Sequence, residues 1–142
     1  MHLCFAYTVR HYSSNAGETM SCHRQYDTVA FDVRDHAMML FFARTKPNGD
    51  IDDYLLLMRG ESEDFGPKIY LEINEQQYAG HDLIREVEMC DNVLTLYLRE
   101  PAEALGGANE IVLSYAATAD NKAVVEAGAM RVLGDCLSGG HA

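Results

Sequence analysis

Histidine and cysteine side chains are scattered along this chain without a metal-binding spacing. There are six histidines and four cysteines, and no C-x-x-C, H-x-x-x-H or H-E-x-x-H pattern occurs among them. Cys22 and His23, together with His11, come nearest to a ligand set. Because adjacent residues of a strand point to opposite faces, these two neighbours would not share one ion. The sequence therefore predicts no metal site, and it predicts four reduced, mostly buried thiols.

Paired carboxylates are the second group whose spacing could support chemistry. Glu72 and Glu75, with Asp82 or Glu86, could form an acid/base pair of the glycosidase type. Glu72 alternates with apolar residues, however, and such carboxylates normally lie on the solvated face of a sheet. The chain also lacks G-x-S-x-G, G-x-x-x-x-G-K-[ST] and G-x-G-x-x-G. We therefore expect no catalytic residues, no cofactor and no enzyme activity.

Negative charge is concentrated in the second part of the chain. The formal net charge is −11, with +1 over residues 1–49 and −12 over residues 50–142. Residues 50–64 are the densest part, with one arginine and six acidic residues: Asp50, Asp52, Asp53, Glu61, Glu63 and Asp64. Such a surface repels nucleic-acid phosphates and attracts basic proteins. We therefore expect a protein partner and no nucleic acid.

Hydrophobic periodicity predicts many short strands followed by one helix. The predicted strands cover 3–9, 27–33, 37–43, 54–59, 69–74 and 111–115, with a hairpin over 86–98 and a helix over 120–135. Polar residues predict loops at 11–25, 60–68 and 74–82. This order is typical of an α+β fold: one twisted, mainly antiparallel β-sheet with a C-terminal α-helix packed on one face. We expect residues 1–137 to form a single domain and residues 138–142 a flexible tail.

Three local features add detail to this prediction. Asp91-Asn92 supplies a two-residue turn for the hairpin, because both residues tolerate a left-handed backbone. Asp120 is the predicted N-cap of the helix. Gly128 inside the helix costs about 1 kcal/mol relative to alanine, so we expect it to mark close packing of the helix on the sheet.

The sequence shows no targeting or membrane segment. No stretch approaches the roughly 18 apolar residues of a membrane span. The N-terminal residues, MHLCFAYTVRH, lack the basic start of a secretory signal. We therefore expect a cytoplasmic protein that does not enter a membrane.

Residues 54–117 resemble the immunity-protein-ten family of bacterial polymorphic toxin systems. The segments that carry the resemblance are YLLLMR, IYLEINEQQY, NVLTLYL, AEALGG and EIVLSY. The E-I-N-x-Q motif has the greatest weight; it runs from Glu72 to Gln76, after Tyr70 and before Tyr78.

The resemblance implies a small intracellular α+β protein that protects its cell by neutralising a toxin domain. Two positions depart from the family pattern, which often has Asp at Glu75 and Gln at Met58. An acidic inhibitor would be drawn electrostatically to a basic toxin. We therefore expect a cognate, basic toxin domain as the partner. The expected contact residues are the six acidic residues of 50–64 together with Glu72, Glu75, Gln76 and Tyr78.

A second hypothesis is a small-molecule-binding or hydrolytic α+β domain of unknown substrate. Its site would be assembled from residues that are distant in sequence. A deep pocket lined by His or Cys would favour this hypothesis, whereas a flat acidic face would favour the binding protein. The sequence does not predict the oligomeric state.

Overall fold

The computed structural model describes residues 20–60, 69–74 and 77–134, which form nine β-strands, one 3₁₀ turn and one α-helix. The strands are β1 (Ser21–Tyr26), β2 (Thr28–Arg34), β3 (Ala37–Thr45), β4 (Ile51–Gly60), β5 (Tyr70–Ile73), β6 (Tyr78–His81), β7 (Ile84–Cys90), β8 (Val93–Ala102) and β9 (Ala108–Tyr115). The 3₁₀ turn covers Glu103–Leu105, and helix α1 covers Ala119–Leu133. Among these residues, no helix has the length and hydrophobicity needed to cross a bilayer.

The strands form two mostly antiparallel sheets, and with the C-terminal helix they confirm the predicted α+β class. The first sheet has the order β1-β9-β8-β7, and the second has the order β2-β3-β4-β5-β6. The prediction had placed the strands in one sheet. The difference has a packing reason, because two sheets with apolar inner faces can bury those faces against each other.

The core lies between the inner faces of the two sheets. Phe42 of β3 contacts Tyr26 and Tyr115 of the first sheet, with ring centroids 6.0 and 6.1 Å apart. Both sheets supply fully buried side chains: Leu40, Leu55, Leu57, Leu71 and Ile73 from the second, and Val87, Leu94, Leu96, Ile111 and Leu113 from the first. Each such residue contributes about 1.5–3 kcal/mol through its burial. The alternation predicted for β5 and β8 is therefore confirmed as part of the core.

Helix α1 packs on the second sheet, where it contacts β2, β3 and β4. Gly128 lies at the closest approach. A Cβ atom there would come within 2.9 Å of both Leu40 and Phe31. The close packing predicted from this glycine is confirmed.

The predicted hairpin turn is confirmed, and the predicted helix cap is wrong by two residues. Strands β7 and β8 join at Asp91-Asn92, and Asp91 has a φ of 54°. The N-cap of α1 is Thr118, whose hydroxyl accepts a hydrogen bond from the backbone N–H of Asn121 at 3.1 Å. Asp120 lies in the first turn, where its negative charge favours the helix dipole.

Two segments predicted as loops contain edge strands. Strand β1 begins in the predicted loop 11–25, extends to Tyr26 and pairs in parallel with β9. Strand β6 lies within the predicted loop 74–82 and pairs with β5. Both strands have few large apolar residues, because edge strands are partly solvated, and the apolar alternation that indicates a strand is therefore weak in them.

Some predictions concern segments outside the described residues. These are the strand at 3–9, residues 61–68 of the acidic loop predicted at 60–68, and the tail at 138–142. The predicted domain boundary at residue 137 lies outside them as well.

Candidate partner-binding surface

The acidic segment begins in the turn between β3 and β4. Gly49 has a φ of 96°, a conformation that residues with a side chain rarely adopt. Its backbone N–H donates to the carbonyl of Lys46 at 2.8 Å, and the side-chain oxygen of Asn48 accepts from the N–H of Asp50 at 2.9 Å. These bonds fix the turn and hold Asp50 at an exposed position.

The two aspartates that follow the turn have different surroundings. Asp52 is exposed, and its carboxylate lies 3.1 Å from the guanidinium group of Arg44. Asp53 is only 7% exposed, and one terminal nitrogen of Arg24 lies 2.7 Å from both of its carboxylate oxygens. Arg24 belongs to β1, so this buried ion pair connects the two sheets. A partner could reach Asp50 and Asp52, whereas the Asp53 carboxylate is used inside the protein.

Tyr26 lies near the buried ion pair, which affects the pKa of its hydroxyl. Burial raises the pKa of its hydroxyl, and the negative charge of Asp53 raises this pKa further. Within the described residues, the Tyr26 hydroxyl and the Nε of Arg24 are buried and have no hydrogen-bond partner. The phenol therefore remains protonated at neutral pH.

A cleft of ≈ 460 Å³ opens beside the start of β4 and the end of β5. Its described lining residues are Ile51, Asp52, Asp53, Tyr54 and Asn74. Asn74 has a φ of 48°, and its side-chain oxygen accepts from the backbone N–H of Tyr54 at 2.8 Å. This bond ties the end of β5 to β4 and gives the cleft one fixed wall.

Glu72 lies on β5, next to the cleft, between two tyrosine hydroxyl groups. The hydroxyl of Tyr54 donates to one carboxylate oxygen at 2.5 Å, and the hydroxyl of Tyr70 donates to the other at 2.8 Å. The ring of Tyr70 also lies 5.0 Å from that of His81. The carboxylate of Glu72 is therefore held in one orientation.

Strand register places seven residues on the outward side of the second sheet. Across β3, β4 and β5, one aligned row is Met39, Met58 and Tyr70, the next is Phe41, Leu56 and Glu72, and Tyr54 follows on β4. We call these seven residues the outer face. All seven are half-buried. The rings of Phe41 and Tyr54 lie 5.7 Å apart, so the outer face joins the cleft through Tyr54.

The outward side of the first sheet is less accessible. Thr95 is 1% exposed, Tyr97 is 5% exposed and Glu110 is 4% exposed. The hydroxyl of Tyr97 donates to Glu88 at 2.7 Å, and Glu110 accepts from the hydroxyl of Ser21. Its polar groups are therefore satisfied internally, and the outer face of the second sheet is the better candidate for a binding surface.

The structure brings some of the predicted contact residues together. Asp52 and Asp53 line the cleft, Asp53 from its buried position. Asp50 lies in the turn just before β4, and Glu72 lies on the adjoining strand β5. Tyr78 is half-buried and packs against the core, and burial raises the pKa of its hydroxyl. The other predicted contacts lie outside the described residues: Glu61, Glu63, Asp64, Glu75 and Gln76.

Two features of this surface were not predicted from the sequence. Arg24 had been placed in a predicted loop, and no local signal connects it with Asp53, which is 29 residues away. The outer face had a signal in the sequence: Tyr54, Leu56 and Met58 alternate with core leucines. The run of apolar residues in β4 hid this second face.

The described residues offer little for metal or thiol chemistry. Among them, no three His, Cys, Asp or Glu side chains are grouped closely enough to hold a metal ion. Cys22 is a free thiol, whereas Cys90 is disulfide-bonded. The prediction that all four thiols are reduced was therefore wrong for Cys90, since nothing in a cysteine spacing shows which thiols meet in space.

Family models and curated proteins provide no relative of this chain. No protein family matches the chain, and no curated protein matches it significantly. The resemblance of residues 54–117 to the immunity-protein-ten family stays a prediction.

Proposed function

We propose that the protein is an immunity protein, which binds and neutralises a cognate toxin domain of a bacterial polymorphic toxin system. The observation that carries the proposal is a continuous acidic and aromatic surface. It runs from Asp50 and Asp52, past the cleft, to Tyr54 and Glu72 on the outer face. The resemblance of residues 54–117 to the immunity-protein-ten family agrees with this function.

The composition of the surface suits a protein partner. Tyrosine and methionine are enriched at protein interfaces, where they supply contact area, and the outer face has two of each. Its centre is apolar, with Phe41 and Leu56, and carboxylates lie at its edge. The net charge of −11 would accelerate the encounter with a basic toxin.

Co-expression with a toxin domain tests the proposal directly. The toxin to test is the variable C-terminal domain of any large secreted protein that is found encoded next to this chain. We expect the wild-type protein to restore growth and to co-purify with the toxin domain. We expect the double variant Asp50→Lys/Asp52→Lys to weaken toxin binding by about tenfold or more. Its two lysines would repel a basic toxin that the two aspartates attract.

The matched control is Asp120→Lys/Glu126→Lys, which changes the net charge equally on helix α1. Both control residues are exposed. If the two double variants lose toxin binding equally, Asp50 and Asp52 do not contact the toxin. If the wild-type protein neither binds nor protects against the toxin, the proposed function is wrong.

The cleft keeps the small-molecule hypothesis as a second candidate. Its volume of ≈ 460 Å³ lies within the range of about 300–1,000 Å³ that is usual for ligand sites. Its described lining contains two carboxylates, an amide, a tyrosine and an isoleucine, and no His or Cys among them. A small molecule retained in the native mass spectrum of the purified protein would favour this candidate.

A further inference from the structure

Glu72 is a half-buried carboxylate whose negative charge has no cationic partner among the described residues. The hydrogen bonds of its carboxylate among these residues come from two tyrosine hydroxyl groups, one on each oxygen. Carboxylate oxygens together offer about four lone-pair sites, so two remain for further donors. Partial burial makes an unneutralised charge costly, and an incoming cation would remove part of that cost.

The neighbouring arginines do not neutralise this charge. Arg44 pairs with Asp52 at 3.1 Å, and Arg24 pairs with Asp53 at 2.7 Å. Both guanidinium groups are therefore already paired with carboxylates that line the cleft. Glu72 remains the carboxylate of the outer face that can accept a cation from outside.

The groups around Glu72 match a guanidinium group better than an ammonium group. A guanidinium group is planar and can donate two parallel hydrogen bonds to one carboxylate, and its plane stacks on aromatic rings. Tyr54 and Tyr70 flank the carboxylate, and the ring of Phe41 lies 5.7 Å from that of Tyr54. Because the tyrosine hydroxyls hold the carboxylate still, little side-chain entropy would be lost on binding.

We propose that Glu72, Tyr54 and Tyr70 form a binding site for one arginine side chain of a basic protein partner. This proposal rests on the proposed function, because it assigns the outer face as the surface that the toxin domain covers. The charge complementarity that supports it is the net charge of −11 on this chain together with the unneutralised Glu72. The arginine would anchor the interface beside the apolar centre of the outer face, and Asp50 and Asp52 would lie at the rim of the interface.

Titration with acetyl-arginine amide tests the site without the toxin. The readout is the NMR ring resonances of Tyr54 and Tyr70 in the full chain. We expect saturable shifts with wild-type protein, weaker shifts with acetyl-lysine amide, and about tenfold weaker arginine binding to Glu72→Gln. Glutamine keeps the size of the side chain and a hydrogen bond to a tyrosine. Asp32→Asn, an exposed acidic residue on the same sheet, is the control and should bind like the wild type.

Two outcomes would overturn the proposal. The first is the absence of saturable shifts at Tyr54 and Tyr70. The second is equal arginine binding by the wild type and Glu72→Gln, which would indicate general attraction to an acidic surface. Co-expression separates this failure from failure of the proposed function: a Glu72→Gln variant that still neutralises the toxin leaves the function intact and excludes the arginine site.

Discussion

At the scale of single residues, burial decides which acidic side chains hold the fold and which can contact a partner. Asp52 and Asp53 are neighbours in sequence, yet Asp52 is exposed and Asp53 is 7% exposed. The partner of Asp53, Arg24, comes from the other sheet. An ion pair in such a position costs desolvation energy on both sides, so losing one member is more damaging than losing both.

Asp53→Asn tests this structural role. The substitution leaves the Arg24 guanidinium in its site without the carboxylate that pairs with it. We expect the free energy of unfolding to fall by about 3 kcal/mol, at the lower end of the range for broken buried pairs, since the Arg24 side chain is 13% exposed. Urea denaturation measures this change.

The control is Asp32→Asn, which breaks the exposed pair with Arg34. Their side chains are 49% and 72% exposed, respectively, and lie 2.9 Å apart. Exposed pairs contribute roughly 0–1 kcal/mol, so we expect little change. An equal and small effect of both substitutions would show that Asp53 does not hold the sheets together.

At the scale of elements, the position of helix α1 on the second sheet depends on a glycine. Gly128→Ala would ordinarily stabilise a helix by about 1 kcal/mol. Here the added Cβ would meet Leu40 and Phe31 at 2.9 Å, and overpacking costs typically about 1–3 kcal/mol. We therefore expect a net loss of about 1 kcal/mol in the free energy of unfolding, measured by thermal and urea denaturation.

Gly134→Ala is the matched control at the end of the same helix. Gly134 has helical dihedral angles, and a Cβ atom there would meet no atom within 4 Å. We expect it to stabilise the protein by about 0.4–1 kcal/mol. If Gly128→Ala also stabilised the protein, the helix would have room to move away from the sheet.

The sequence predicted the elements better than their arrangement. Strong alternation or helical periodicity predicted β5, β8 and α1, because these elements have one face in the core. Edge strands β1 and β6 were missed, since each is stabilised by pairing with a distant strand and has weak periodicity. The division into two sheets was missed for a similar reason: alternation shows that a face is buried but not what covers it.

The candidate site was predictable only in part. The density of charge in the sequence predicted Asp50 and Asp52 as contact residues, and both are exposed. These two residues were predictable because charge can be read directly from the sequence. The contact of Glu72 with Tyr54 depends on the register of β4 against β5, whereas Tyr70 lies two residues from Glu72 on the same strand. That register brings together residues separated by 18 positions, so it appears only in the folded sheet.

At the scale of the whole molecule, the dominant feature is the excess of acidic residues. The chain has 22 Asp and Glu residues against 11 Lys and Arg residues, and its isoelectric point is ≈ 4.8. Self-repulsion of a net charge of this size destabilises the compact state. Salt acts on this repulsion more than on the Arg24–Asp53 pair, because screening of a buried pair is weaker.

Thermal unfolding at two salt concentrations tests this balance at pH 7. Raising the salt from 0.01 to 0.15 M shortens the Debye length from about 30 to about 8 Å. We expect Tm to rise by about 2–4 °C, which corresponds to about 1 kcal/mol for a domain of this size. Choline chloride should act like sodium chloride if the effect is screening and not sodium binding. The rise should shrink near pH 4.8, where the net charge approaches zero. A fall of Tm with salt at pH 7 would mean that attractive ion pairs outweigh the repulsion.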